Sequence, residues 1–136
     1  MKIIMIVLGC LILSGCANHN VICVRENDID EGQMKEVQKI SFINNKIDEY
    51  SIDIQFKVNN DALEYRKVIF ESLKNSFDRY DGKDGIKYTV QEKDKRIEIN
   101  IKGDYDKMSD DLGFDKDASL NEVIEFLEND GYTCKY

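Results

Sequence analysis

The sequence predicts an α+β domain: an antiparallel β-sheet built from two hairpins plus short terminal strands, with two helices packed on one face. Residues 50–58 alternate strictly between apolar and polar side chains, which is typical of a strand with one buried face. Two later segments repeat apolar residues at spacings of three and four, as a helix with one buried stripe does. A second pair of alternating segments brackets a two-residue turn, which indicates a second hairpin.

Residues 1–15 have the features of a lipoprotein signal peptide that is removed. Lys2 supplies a positive charge, and the eleven residues from Ile3 to Leu13 are almost all apolar. That stretch fits a signal peptide and falls short of the roughly 20 residues a spanning helix needs. Leu13 to Cys16 reads as a lipobox, so we expect a lipid on Cys16 and a mature chain that starts there. An ordinary cleaved signal followed by a chance cysteine is the alternative.

Residues 16–20 are expected to form a short lipidated tether, and residues 21–136 a single domain. The formal net charge is −8 and becomes −9 when Lys2 is removed with the signal. This acidity argues against nucleic acid and anionic lipid headgroups as the main partners. The lipid on Cys16 would therefore hold the domain at the extracytoplasmic face of the cell membrane. His19, the only histidine, is read as an exposed residue of the tether.

A long first hairpin is predicted from Met34 to Ile43 and from Ile47 to Val58. Asn44-Asn45 between the two arms tolerates the positive φ of a tight hairpin turn. The second arm places one apolar set on a single face: Tyr50, Ile52, Ile54, Phe56 and Val58. The register stays open, because Val37 and Ile40 in the first arm fall on opposite faces.

Asp61 is predicted to start the first helix, with Glu64 as its capping-box partner and Gly82 as the C-terminal stop. The helix carries an apolar stripe at helical spacing: Ala62, Tyr65, Ile69, Leu73 and Phe77. Such a stripe can line a ligand groove, but packing against the sheet is the preferred interpretation.

The second hairpin is predicted to turn at Lys93-Asp94 and to end at Gly103. A turn at that position makes four cross-strand pairs: Glu92 with Lys95, Val90 with Ile97, Tyr88 with Ile99, and Ile86 with Ile101. Because the apolar pairs share one face, the turn and the pattern agree.

Residues 104–117 contain six aspartates, for which two interpretations exist. A calcium loop would suit the carboxylates, but an EF-hand starting at Asp115 needs glycine where Leu120 stands and glutamate where Phe126 stands. A solvated acidic loop is preferred, anchored by three apolar residues: Met108, Leu112 and Phe114. A low-affinity divalent-cation site in this loop remains an open alternative.

The second helix is predicted to follow this loop, with Ser119 and Glu122 as its capping box and Gly131 at its end. Its apolar stripe has the i, i+3, i+4, i+7 spacing and consists of Leu120, Val123, Ile124 and Leu127.

Short strands are predicted at both ends of the domain, Val21 to Val24 and Tyr132 to Tyr136, with an acidic turn from Glu26 to Gly32 after the first. Cys23 and Cys134 lie in these strands and are the cysteines left once the signal is removed and Cys16 is lipidated. Outside the cytosol such a pair favours a disulfide over free thiols. Metal binding is disfavoured, since no CxxC or CxxH spacing accompanies the pair. Pairing of the two strands would bring the cysteines together.

The lipobox, the cysteine-bearing strand, the order hairpin, helix, hairpin, helix, and the ending Gly131 to Lys135 together resemble the YehR-like family of small bacterial lipoproteins. The resemblance covers essentially the whole mature chain. It implies an envelope lipoprotein with a small α+β domain and no established activity, and it supplies no functional residue beyond Cys16.

No catalytic site, cofactor site or metal site is predicted. A nucleophilic triad normally needs a histidine base, and the one histidine lies in the tether. The leading hypothesis is a non-enzymatic binding or structural module that engages an envelope protein or glycan through an exposed sheet face or groove. Two alternatives remain, a divalent-cation-binding lipoprotein and a carboxylate-dependent hydrolase of envelope glycans.

Overall fold

A computed structural model describes residues 18–108 and 112–136 and has the predicted α+β fold, with a six-stranded antiparallel sheet in those ranges. The predicted signal peptide and Cys16 lie outside the described residues. The strands are β1 (His19–Ile29), β2 (Gly32–Ile43), β3 (Lys46–Val58), β4 (Ile86–Glu92), β5 (Arg96–Asp104) and β6 (Thr133–Lys135). Across the sheet the order is β4-β5-β3-β2-β1-β6.

The described ranges contain three α-helices, whereas the sequence predicted two. They are α1 (Arg66–Phe77), α2 (Tyr105–Met108) and α3 (Leu120–Asn129). Short 3₁₀ segments, Asn60–Tyr65 and Asp78–Tyr80, flank α1. Within residues 18–108 and 112–136, no helix has both the length and the apolar character that crossing a membrane requires.

One face of the sheet forms the core, and β3 shows the predicted alternation. Tyr50, Ile54, Phe56 and Val58 are each 1 % exposed. The neighbouring strands contribute residues of the same face, because Ile40 pairs with Tyr50 and Ile99 pairs with Ile54. The opposite face carries the polar residues, which is the usual division for an antiparallel sheet with one packed side.

β1 is much longer than the predicted strand Val21 to Val24. It pairs with β2 as an antiparallel hairpin along its whole length, and only Asp30 and Glu31 remain as the turn. The prediction of a turn from Glu26 to Gly32 was therefore wrong. Acidic and amide residues disfavour strands weakly, and pairing with a long neighbour outweighs that local preference.

The turn between β2 and β3 has the predicted form. Asn44 and Asn45 have φ values of 52° and 61°, the left-handed region that a two-residue hairpin turn requires. A bulge between Ser41 and Phe42 shifts the register next to this turn. Because the bulge offsets the alternation by one residue, Ile47 and Tyr50 are both buried although they lie three residues apart.

The first helix begins differently from the prediction. Residues Asn60–Tyr65 form a 3₁₀ segment, and no side chain caps either this segment or α1, so the predicted Asp61–Glu64 capping box does not form. A 3₁₀ turn has about 3.0 residues rather than 3.6, which changes the helical phase. Tyr65 is consequently 56 % exposed, and Phe70, which the predicted stripe omitted, is the buried residue of α1.

The β4–β5 hairpin keeps the predicted faces in a register two residues away from the predicted one. Val90 pairs with Ile99 and Tyr88 with Ile101. The turn is centred one residue later than predicted, since the backbone N–H of Lys93 donates to the carbonyl of Arg96. A shift of two residues leaves each side chain on its original face.

The acidic segment is held to the sheet by its apolar and aromatic residues. Tyr105 and Met108 of α2 are fully buried, and the ring of Phe114 stacks on that of Tyr105 with 5.5 Å between centroids. The predicted anchoring by Met108 and Phe114 is confirmed, but α2 was not predicted. The helix α3 has the predicted capping box between Ser119 and Glu122.

The Cys23–Cys134 disulfide is present, as predicted. Cys23 pairs with Cys134 directly across β1 and β6. The bond joins residues separated by 111 positions and therefore closes most of the domain into a loop.

Removal of this disulfide by the double substitution Cys23→Ser and Cys134→Ser is expected to lower the free energy of unfolding by about 2–5 kcal/mol, because the unfolded chain regains the entropy of a large open loop. Urea titration followed by circular dichroism measures the change. Wild-type protein whose disulfide has been reduced serves as the control and should lose a similar amount of unfolding free energy. Equal stability of the oxidised and reduced proteins would contradict this expectation.

The two capping boxes of the sequence offer a matched pair of substitutions. Ser119→Ala removes a side chain that accepts a hydrogen bond from the backbone N–H of Glu122 at 3.2 Å, and should cost about 1 kcal/mol of unfolding free energy. Asp61→Ala removes no cap, so its effect should stay within about 0.5 kcal/mol. A larger loss for Asp61→Ala in the same urea titration would show that the first helix begins as the sequence pattern indicated.

Candidate functional site

The face of the sheet opposite the helices is the candidate functional surface, which we call the open face. Strands β1, β2, β3 and β5 contribute alternate residues to it. A shallow depression of about 460 Å³ lies across these strands. Its polar lining comprises Asn20, Lys39, Ser41, Glu49, Ser51, Asp53, Asn100 and Lys102.

Charges of both signs alternate across the depression. Lys102 Nζ lies 2.8 Å from a carboxylate oxygen of Glu49. Asp53 lies 3.9 Å from Lys39 Nζ and accepts a hydrogen bond from the Asn100 amide. The Lys39 side chain remains 55 % exposed. The carboxylates are thus held in place by cations and amides, and the lysine ends and amide groups are available to a polar partner.

Two further depressions adjoin this one on the open face. One of about 320 Å³ includes Glu26, Lys35 and Arg96, and one of about 230 Å³ includes Gln55 and Glu98. Lys35 lies 3.7 Å from Glu26, and Arg96 lies 3.1 Å from Glu98. The same mixed, paired charge pattern therefore continues along the sheet.

A polar cluster lies beside the disulfide on the helix side of the sheet. The Arg25 guanidinium donates to Glu36 at 2.7 Å, and to both the carbonyl and the carboxylate of Asp130 at 3.0 Å. Its guanidinium carbon also lies 4.5 Å from the ring centre of Tyr132. Arg25 thereby joins β1, β2 and the end of α3. Because Arg25 joins these three elements through charge-assisted hydrogen bonds, we call this cluster the structural clasp.

Gln38 extends this cluster into the core. Its side-chain oxygen accepts a hydrogen bond from the Tyr50 hydroxyl at 2.7 Å, and both residues are buried. Burial raises the pKa of Tyr50 well above its ordinary value, with nearby Tyr132 as a further cause. Burial also raises the pKa of Tyr132. Both hydroxyls therefore stay protonated and serve as hydrogen-bonding groups at neutral pH.

No group of three or more His, Cys, Asp or Glu side chains in residues 18–108 and 112–136 is arranged to hold a metal ion. Asp110 and Asp111 of the predicted acidic loop lie outside those ranges. Within the described part of the loop, Lys116 Nζ lies 2.7 Å from the Asp106 carboxylate, so a cation of the chain itself already neutralises that acid.

Sequence reasoning identified part of these surfaces. Cys23 and Cys134 are joined as predicted, and Cys16 lies outside the described residues. His19 is exposed as predicted, but it is the first residue of β1 rather than part of the tether. The polar face of β3 was recognised from its alternation. The place of Lys39 on this surface was missed because the register of β2 was left open. The role of Arg25 was missed because β1 was predicted too short. The opposite charges of Arg25 and Glu36 could have indicated that β1 and β2 pair as a hairpin.

The buried Tyr50 hydroxyl predicts a loss of stability in alkali. Tyrosine in an unfolded chain ionises near pH 10, whereas the raised pKa of Tyr50 keeps the folded form protonated. The contribution of the Tyr50 hydroxyl to the free energy of unfolding is fully present below pH 10. It is lost as the pH rises above that value, since the unfolded state releases its proton first. The free energy of unfolding should fall with pH above about 10, by up to roughly 1 kcal/mol per pH unit for this one group.

Tyr50→Phe is the matched variant for this measurement. It removes the titrating hydroxyl and keeps the ring, so its unfolding free energy should fall less steeply between about pH 10 and 11. Urea titrations of both proteins at several pH values give the two slopes. Identical slopes would mean that the Tyr50 hydroxyl reaches solvent in the folded protein.

Comparison with known proteins adds one finding about the fold. No protein-family model and no curated protein sequence matches this chain. It is similar to a solved NMR structure of a protein from Streptococcus pneumoniae TIGR4, with a TM-score of 0.55 and 14 % sequence identity over 88 % of this chain and 87 % of the other. At that identity the likeness shows a shared fold.

Proposed function

We propose that this protein is an envelope lipoprotein, held at the extracytoplasmic face of the membrane by a lipid on Cys16, whose domain is a non-enzymatic binding or structural module. The observation that carries the proposal is the open face. It presents depressions lined by exposed lysines and by amide groups, while the helices occupy the other side of the sheet.

The chemistry of the open face suits a polar envelope partner, either a protein surface or a glycan. Lys39 and Lys102 can bind carboxylates or carbonyls, and the Asn20 and Asn100 amides can exchange hydrogen bonds with sugars or backbone. Asp53 and Glu49 hold two of these groups in place, which reduces the entropy lost when a partner binds. Charged contacts at an exposed surface imply an association that weakens with added salt.

Two features support the proposed location. Leu13 to Cys16 has the pattern of a lipobox, and the disulfide between Cys23 and Cys134 is of a kind that persists outside the reducing cytosol. β1 begins at His19, so a lipid on Cys16 would be separated from the sheet by at most about 11 Å of chain. The open face would then be available to components close to the bilayer surface.

The proposal predicts site-dependent crosslinking in intact cells. A photo-crosslinking amino acid at Lys39, in the open-face depression, should give discrete adducts with an envelope component, because that surface faces the partner. The same amino acid at Lys67, an exposed residue of α1, is the matched control and should give few. Immunoblotting after irradiation, with mass spectrometry of the adducts, compares the two positions.

Cys16→Ser provides the second arm of this test. Without the thiol no lipid can be attached, so the protein should leave the membrane fraction and the Lys39 adducts should disappear. Adducts of equal yield from both crosslinker positions would contradict binding through the open face. Retention of the Cys16→Ser variant in the membrane fraction would contradict the anchor.

A further inference from the structure

The turn between β2 and β3 lies at the end of the sheet from which the N-terminal segment leaves. His19 pairs with Phe42, and the hairpin continues through Ile43, Asn44, Asn45 and Lys46, residues that we call the hairpin tip. Because β1 and β2 are antiparallel, the chain that precedes His19 leaves the sheet in the direction in which the hairpin tip points.

We propose that the hairpin tip rests in the headgroup layer of the phospholipid bilayer to which Cys16 is anchored, an inference that depends on the lipid anchor proposed above. His19 is the third residue after Cys16, so the chain between them spans at most about 11 Å. The headgroup layer is about 5–8 Å thick on each side of the hydrocarbon core. The hairpin tip is therefore within reach of that layer whenever the lipid is inserted.

The charge distribution along the first two hairpins agrees with this orientation. The segment from Val37 to Ile47 has two lysines, Lys39 and Lys46, and no carboxylate, although the whole chain contains 27 acidic residues. The opposite end of the same strands, at the β1–β2 turn, carries Asp28, Asp30 and Glu31. Lipid phosphates attract the first end and repel the second.

The carboxylate nearest the hairpin tip in β3 is that of Asp48, an exposed residue two positions after Lys46, and the other carboxylates of this end lie further back. β5 ends at Asp104, which pairs with Glu49 of β3. Lys46 lies three residues before Glu49, towards the hairpin tip, which is a distance of about 10 Å along the strand. Glu49 is itself paired with Lys102. Ile43 is 41 % exposed on the open face. The hairpin tip thus offers the headgroup layer one apolar side chain, two amides and one ammonium group, a combination suited to that interface.

Fluorescence can locate the hairpin tip directly, because the protein contains no tryptophan. The variant Ile43→Trp places one reporter on the tip. Glu31→Trp is the matched control, an exposed turn position at the other end of the twelve-residue strand β2, roughly 40 Å away. Each full-length chain is expressed in bacteria, purified from the membrane fraction and weighed by intact-mass spectrometry, which reports whether Cys16 is acylated.

The acylated proteins are then reconstituted into phosphatidylcholine vesicles with and without lipids brominated near the headgroup. We expect at least about twofold stronger quenching for Ile43→Trp than for Glu31→Trp, since bromine quenches only over short distances and the tip lies at headgroup depth. Lys46→Trp is a second reporter in case Ile43→Trp folds poorly, and should be quenched likewise.

The outcomes separate the two proposals. Acylated protein whose tip reporters are quenched no more than Glu31→Trp would overturn the membrane contact and leave the lipoprotein assignment intact. A purified protein without acyl mass on Cys16 would overturn both. Stronger quenching of Glu31→Trp would show that the domain lies the other way round on the bilayer and would overturn the contact as well.

Discussion

The structure depends on one constraint: every strand must turn the same alternate residues towards the helices. The row Val21, Ile40 and Tyr50 shows how strictly it is met, because these cross-strand neighbours are at most 1 % exposed. A slip of one residue between any two strands would exchange core and surface side chains. Where the alternation is interrupted, near the β2–β3 turn, a bulge restores it and keeps Ile47 buried.

Burial alone does not choose between registers that differ by two residues, since both keep the same faces. Between β1 and its neighbours the polar and covalent contacts make that choice. A two-residue slip of β1 against β2 would separate Arg25 from Glu36, and a slip against β6 would separate Cys23 from Cys134. The Arg25 and Glu36 side chains are 25 % and 13 % exposed, and a charge-assisted hydrogen bond in such a partly buried pair favours the register that keeps the two side chains together. The Arg25 clasp and the disulfide therefore specify the register at this side of the sheet.

The same distinction explains how much of the fold the sequence could predict. The α+β fold, the buried face of β3, the Asn44-Asn45 turn and the Ser119 cap follow from local patterns that leave few alternatives. The disulfide was predictable because only two cysteines follow Cys16. The β4–β5 hairpin was predicted two residues out of register because only apolar pairs mark it, and they suit both registers. The length of β1 and the 3₁₀ start of the first helix depend on contacts distant in sequence, which local propensity does not contain.

The open face was predictable only in part for the same reason. Its residues are polar, so burial places no demand on their identity, and a depression forms only where four strands bring their side chains together. Alternation assigned Asp53 to the exposed face of β3, but Lys39 and Asn100 become its neighbours only through the registers of β2 and β5. A surface defined across strands is therefore less visible in a sequence than a core defined along them.

β1 is the strand through which an anchor on Cys16 would act on the domain. It begins three residues after Cys16 and is held on both sides, by eleven residue pairs to β2 and by the disulfide to β6. A force on the N-terminus directed along β1 would load the hydrogen bonds of both neighbours together rather than one at a time. Peeling β1 from β6 would in addition require a covalent bond to break. The disulfide lies four residues inside the N-terminal end of β1, so it would resist separation of β1 from β6 close to the point at which an anchor on Cys16 would pull.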